Sequence, residues 1–200
     1  RATFVVVGDV TSAEATEKLN RAFGEWGGKA EPLAPTTLPE APQVPRRNVV
    51  IVDKPGAAQT SIMIGWLGVD RRTPDYYALQ VLNTILGDSF TSRLNQNLRE
   101  EHGYTYGAGS AFVMRKEAGP FYATAAVQTD KTGPALQEFF KELSGIRQTV
   151  PAEELEKAKN YLAYRFPSEF ETDSDVAGNL TTLLVYSLPE NTFSNYVSKI

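Results

Sequence analysis

Apolar and polar positions along the chain change period several times, and each change marks an element. Phe4 to Val7 is an unbroken apolar run suited to a buried strand. Thr11-Ser12-Ala13-Glu14 has capping-box spacing, and Ala15, Leu19, Ala22, Phe23 and Trp26 repeat at three and four, which predicts an amphipathic helix stopped by Gly27-Gly28. Pro32, Pro35, Pro39, Pro42 and Pro45 then favour extended backbone without a core of its own. Val49 to Val52 and Ser61 to Leu67 read as two strands of one sheet, separated by Lys54-Pro55-Gly56. Pro74 suits the first turn of a long helix whose buried stripe is Ala78, Val81, Leu82, Ile85 and Leu86. Tyr104 to Met114 and Phe121 to Thr129 flank the polar segment Arg115 to Pro120 as antiparallel partners. Leu136, Phe139, Phe140 and Leu143 behind Pro134 predict one helix, and Leu155, Ala158, Leu162 and Phe166 behind Pro151 another. Val176, Leu180, Leu183 and Leu184 predict a further helix stopped by Pro189, and Phe193, Tyr196, Val197 and Ile200 begin a last one. Strands followed by runs of helices point to an α+β fold, an antiparallel β-sheet with helices packed on one face.

The stretch Leu86 to Gly107 carries most of the information. Gly87 can end a helix in a left-handed conformation, and Asp88, Ser89, Thr91 and Ser92 offer oxygens to the amides that open the next. Leu94 and Leu98 give that next helix one apolar line, Arg99 falls where the dipole favours a cation, and Gly103 supplies the stop. Tyr104 and Tyr106 are two apart and predict a strand with both rings on one face. An arginine and a tyrosine seven residues apart would then converge across a helix-to-strand corner.

Composition limits the chemistry. With 200 residues, 42% of them hydrophobic, the chain can bury one sizeable core and an extra fragment at one end. A net charge of -4 with interspersed signs offers no basic stripe and argues against nucleic-acid binding. No apolar run reaches the roughly 18 residues that a membrane span needs, and no secretory leader pattern is present. The chain opens directly in a strand, as an excised fragment would, so localisation stays open, with a bacterial periplasm favoured over the cytoplasm. Zero cysteines exclude disulfides, thiolate catalysis and Cys-ligated zinc. The single His102 reads as a solvated helix-end residue, because a zinc site needs three or four ligands. Glu100-Glu101 are adjacent and point apart, so they read as a charged surface and not as an acid/base pair. Gly107-Ala108-Gly109-Ser110 lacks the Lys-Ser/Thr of a phosphate loop, and no serine has a partner for a Ser-His-Asp arrangement. By spacing alone Arg99 is a surface charge and Tyr106 a half-buried strand aromatic.

Leu-Gly-Asp-Ser-Phe-Thr-Ser-Arg-Leu followed by Leu-Arg-Glu-Glu-His-Gly-Tyr-Thr-Tyr-Gly resembles the second homologous domain of the pitrilysin/insulinase-like zinc peptidases, the inverzincins. Asp53 to Thr60 and Arg72 to Ala78 stand where that family has similar segments, so the likeness runs from about residue 48 to the end. In such enzymes two related domains close around a peptide; one holds zinc on an inverted His-x-x-Glu-His helix, and the other contributes an arginine and a tyrosine. Carried onto this sequence, those catalytic residues are Arg99 and Tyr106. The resemblance implies a LuxS/MPP-like two-layer metallopeptidase sandwich. It implies residues 1–27 as the strand and helix ending a preceding homologous domain, 28–47 as a Pro-rich linker, and 48–200 as the Arg/Tyr-bearing domain, truncated at its C-terminus. No metal and no cofactor would bind here; zinc would sit in a partner, either a domain of the same polypeptide or a separate subunit, with a peptide as substrate and a dimer allowed. Alone, the chain would be inert. The ending Tyr104 to Gly107 is of the kind found in bacterial two-subunit peptidases, which favours a non-zinc subunit. The alternative is a structural or assembly member of the same superfamily, like the core subunits of respiratory complexes; the presence of both Arg99 and Tyr106 argues against it. Residues 3–7 are expected to add to the sheet built from 48–129, in this molecule or a swapped neighbour, in place of a terminal strand.

Overall fold

The computed structural model describes residues 2–26, 36–42 and 44–200. The expected helix stop at Gly27-Gly28 and the linker prolines Pro32 and Pro35 lie outside the described residues. The chain divides into two compact units, Arg1–Pro39 with Arg165–Asn195, and Glu40–Tyr164 with Tyr196–Ile200.

In the first unit the capping box forms as its spacing predicts. The Thr11 hydroxyl accepts from the Glu14 N–H at 3.2 Å, and the Glu14 carboxylate accepts from the Thr11 N–H at 3.0 Å, opening helix α1 (Ser12–Phe23). These bonds, the backbone one foremost, hold the Glu14 carboxyl below its ordinary range. Phe4 to Val7, expected as a buried strand, forms no strand and pairs with no described one, and Phe4 and Val6 are about half exposed. A strand needs a backbone partner, and this run meets side chains instead: Phe4 stacks on Phe23 at 4.9 Å, and Phe23 leans on Trp26 at 5.5 Å. A second capping box, Thr172 with Asp175, opens Asp173–Tyr186, which ends at Ser187 in the left-handed region (φ 52°), before Pro189 is reached. None of its apolar residues is fully buried.

The second unit holds the sheet. Strands β1 (Gln59–Leu67), β2 (Thr105–Phe112) and β3 (Pro120–Gln128) lie in the order β1-β3-β2, antiparallel throughout. Alternation along β3 buries Phe121, Ala123, Ala125 and Val127 on one face, while Ala126 and Gln128 stay exposed on the other. Helices cover the buried face: α2 (Tyr76–Asn83), running into a π-helical turn at Thr84–Asp88; α3 (Arg93–Asn95), running into a second π-helical segment at Gln96–Glu101; α4 (Thr132–Gly145); and α5 (Ala152–Arg165). Ile85, Leu86, Leu94, Leu98, Phe139, Leu143, Ala158 and Leu162 form one core with β3 and Ile62. Phe140, expected in that stripe, is 42% exposed and lies under the Arg47 guanidinium, while Ala135 takes the inward position. The arrangement is α+β, as the order of elements predicts.

Two further expectations are corrected. Val49 to Val52 form no strand and are 73–86% exposed; their β-branched composition suits pairing, but no described strand lies against them. Gly87 is not in the left-handed region. It sits buried inside the first π turn, where a Cβ would lie 2.2 Å from the Ser110 nitrogen and 2.4 Å from its Oγ. The glycine is there because β2 crosses at contact distance, not to end a helix.

Candidate functional site

The segment Ser92 to Ala108 turns a short helix into a strand, and its side chains are fixed from three directions. Leu94 and Leu98 are fully buried and hold the helix against the core. Arg93 Nε donates to the Glu154 carboxylate at 2.8 Å, and its Nη2 to the Thr149 carbonyl at 3.1 Å. Asn97, 3% exposed, donates to Glu138 and Glu142 at 2.8 and 2.7 Å. That bond from Asn97, ahead of the one from Lys141, holds the Glu138 carboxyl below its ordinary range. Ser92, expected to cap with its side chain, uses its backbone carbonyl instead, accepting from the Gln96 N–H at 2.8 Å, and its hydroxyl is buried.

Past the helix the corner closes as expected at Gly103, whose φ of +63° only glycine adopts without strain. The Gly103 N–H donates to the Arg99 carbonyl at 3.0 Å, and the Tyr104 N–H to that of Leu98 at 2.9 Å. His102 is not merely solvated. Its ring stacks on Tyr104 at 4.9 Å, and its Nε2 stands 3.8 Å from Glu138.

Tyr104 and Tyr106 do not share a face. Thr105 pairs with Val127 and Ala108 with Ala125, so Tyr106 and Gly107 together oppose Ala126 alone, a β-bulge. The Thr105 hydroxyl locks it by accepting from the Gly107 N–H at 3.1 Å and donating to the Ala126 carbonyl at 2.7 Å. Tyr104 is left half-buried against the core, and Tyr106 is thrown out to 90% exposure.

Arg99 lies in the second π segment, which packs along β2, so both expected residues stand on adjoining elements of one corner. Its Nε is 3.3 Å from Glu100, and its guanidinium lies 4.4 Å from the centre of the exposed Phe90 ring. Exposed ion pairs of this kind contribute ~0–1 kcal/mol, so the pair with Glu100 holds Arg99 only lightly. Glu100 thus pairs with Arg99. Phe90, the support under Arg99, carries no spacing signal in the sequence. Neither does Asn95, whose Nδ2 donates to the Phe90 carbonyl at 2.6 Å while its Oδ1 accepts from the Ala108 N–H at 3.2 Å. A polar residue directly beside Leu94, inside a helix that it disfavours, is the signal that marks Asn95.

Among the described residues, no group of three or more His, Cys, Asp or Glu side chains could hold a metal ion. No described helix is long and apolar enough to cross a membrane.

A family model described as the peptidase M16 inactive domain matches residues 1–162. The chain belongs to the M16 inactive-domain family. The uncharacterized zinc protease YmxG of Bacillus subtilis is 28% identical to this M16 chain over 141 residues, 69% of the chain but 34% of that protein. The zinc protease PqqE of Helicobacter pylori is 26% identical over 186 residues, 92% of the chain and 42% of that protein. The crystal structure of a peptidase M16 inactive domain from Pseudomonas fluorescens superimposes with a TM-score of 0.77 at 26% identity, covering 96% of this chain and 45% of that one. The chain thus spans less than half the length of these relatives.

Proposed function

We propose that this chain is the non-zinc half of a zinc-dependent peptidase that degrades or processes peptides in a closed chamber. Arg99 and Tyr106 bind the substrate backbone and stabilise charge during cleavage, and zinc is held by a homologous partner domain or subunit. The observation that carries this reading is the bulge, which ejects Tyr106 to 90% exposure beside the segment bearing Arg99. A buried strand would gain more from turning that ring inward, so a locked bulge that exposes it fits recognition better than stability. When a peptide carbonyl is attacked, its oxygen gains negative charge. A tyrosine hydroxyl and a guanidinium are donors suited to that oxygen, and neither needs to change protonation state to act. The relatives are named zinc proteases, which supports a zinc-bearing partner, since this chain has one histidine and no cysteine of its own.

The test is peptide cleavage by the full-length protein complemented with its zinc-bearing domain or subunit. Arg99→Ala or Tyr106→Phe is expected to lower kcat/KM at least about tenfold, since losing one donor to a developing oxyanion costs roughly 2.7–4 kcal/mol of barrier. Thermal stability should hardly change, because exposed single substitutions usually alter it by about 0.5 kcal/mol or less. Normal cleavage by both variants would leave them surface residues and favour the non-catalytic assembly role.

A further inference from the structure

The geometry points to Asn95 as a positioning residue that sets Arg99 and Tyr106 relative to one another, an inference that rests on the proposed role of that pair. Asn95 is 5% exposed and stands where α3 passes into the π segment. Its two bonds reach in opposite directions along the chain. Nδ2 holds the carbonyl of Phe90, the residue whose ring lies 4.4 Å from the Arg99 guanidinium. Oδ1 holds the N–H of Ala108, where pairing with β3 resumes after the bulge that ejects Tyr106. One buried amide therefore fastens the aromatic support of Arg99 and the far side of the bulge to the same helix position.

The chemistry of the two partners selects the residue. A carbonyl needs a donor and an N–H needs an acceptor, and a short amide offers both. A carboxylate would keep the bond to Ala108 but set charge against the Phe90 carbonyl, and an apolar group would orphan both backbone groups. Asparagine is also a poor helix residue because its side chain competes for backbone groups, and here that competition is turned to tertiary use. Thr105 already fastens the near side of the bulge from within the sheet, so removing Asn95 frees only the side that refers Tyr106 to the helix.

The experiment compares Asn95→Asp and the smaller Asn95→Ala in the full-length protein complemented with its zinc-bearing domain or subunit. A misplacement on the ångström scale costs up to about a hundredfold in rate. The expected result is a kcat lowered by about tenfold or more with KM little changed, and accelerated hydrogen exchange in residues 104–110 while the β1 and α4 amides keep their protection. Adding either substitution to the Arg99→Ala, Tyr106→Phe double variant should lower cleavage no further, since a positioning residue acts only through the groups it positions. A folded Asn95 variant with wild-type kcat, in an assay where the pair's own variants are impaired, overturns the inference. So does an equal further loss in the double-variant background. Should the pair's own variants cleave normally, the proposed function fails by that result alone, and exchange decides the rest: wild-type rates across residues 104–110 overturn the positioning role whatever the cleavage assay gives.

Discussion

Gly87→Ala adds a single methyl group, and its cost follows from where β2 crosses the first π turn. A Cβ there would stand 2.2 Å from the Ser110 nitrogen, 2.4 Å from its Oγ and 2.8 Å from the Gly109 carbonyl carbon, and two of these three are backbone atoms that cannot rotate away. Real contacts to a Cβ lie near 3.5–4.0 Å, so the π turn and β2 must separate by about 1 Å or more. Overpacking of a well-filled interior costs typically ~1–3 kcal/mol, and the rigid backbone puts this case at the upper end. Helix propensity offsets part of that, since alanine is favoured over glycine by about 1 kcal/mol in a helix interior. Gly133 isolates that offset. It lies in the first turn of α4, where a Cβ would meet nothing beyond its own helix within 4 Å and φ is not positive, so Gly133→Ala should stabilise by about 0.5–1 kcal/mol. Urea unfolding of both variants, followed by tryptophan fluorescence and far-UV dichroism, gives the comparison from midpoints at constant slope. Gly87→Ala is expected to lower the midpoint while Gly133→Ala raises it. A Gly87→Ala variant as stable as the parent would refute the claim that close approach, and not backbone conformation, demands glycine.

Leu98→Ala removes a fully buried side chain on the segment bearing Arg99 and should cost about 2–5 kcal/mol in urea unfolding, far more than Leu155→Ala on half-exposed α5. The Glu138 carboxyl is held below its ordinary range by Asn97 first and Lys141 second, so it stabilises the fold above the ordinary carboxylate range and loses that contribution as pH falls through its lowered value. In Asn97→Ala that acid-side loss should be smaller and reach completion at higher pH, as read from urea midpoints between neutrality and acid; an unchanged profile would remove Asn97 as the cause.

How much of this was legible beforehand depended on whether a signal is local. The α+β class, the hairpin of β2 and β3, the cap at Thr11 and the stop at Gly103 each follow from neighbours within a few residues, and each is found as expected. Val49 to Val52 misled because β-branched composition reports a willingness to pair and not the presence of a partner. Gly87 misled for a related reason: one residue type answers two needs, a left-handed φ or a close approach, and only the path of β2 distinguishes them. The corner itself was harder. Period-two counting put Tyr104 and Tyr106 on one face, and a single inserted residue separated them, which no pattern within β2 announces, because the bulge is held from outside by Asn95 and from across the ladder by the Ala126 carbonyl. The bonds that shape the corner bearing Arg99 and Tyr106 are thus tertiary, whereas the pair itself was reached through resemblance. A motif points to candidate groups, and the helix-to-strand corner that carries them takes its shape from the bonds of Asn95 and Thr105 beside it.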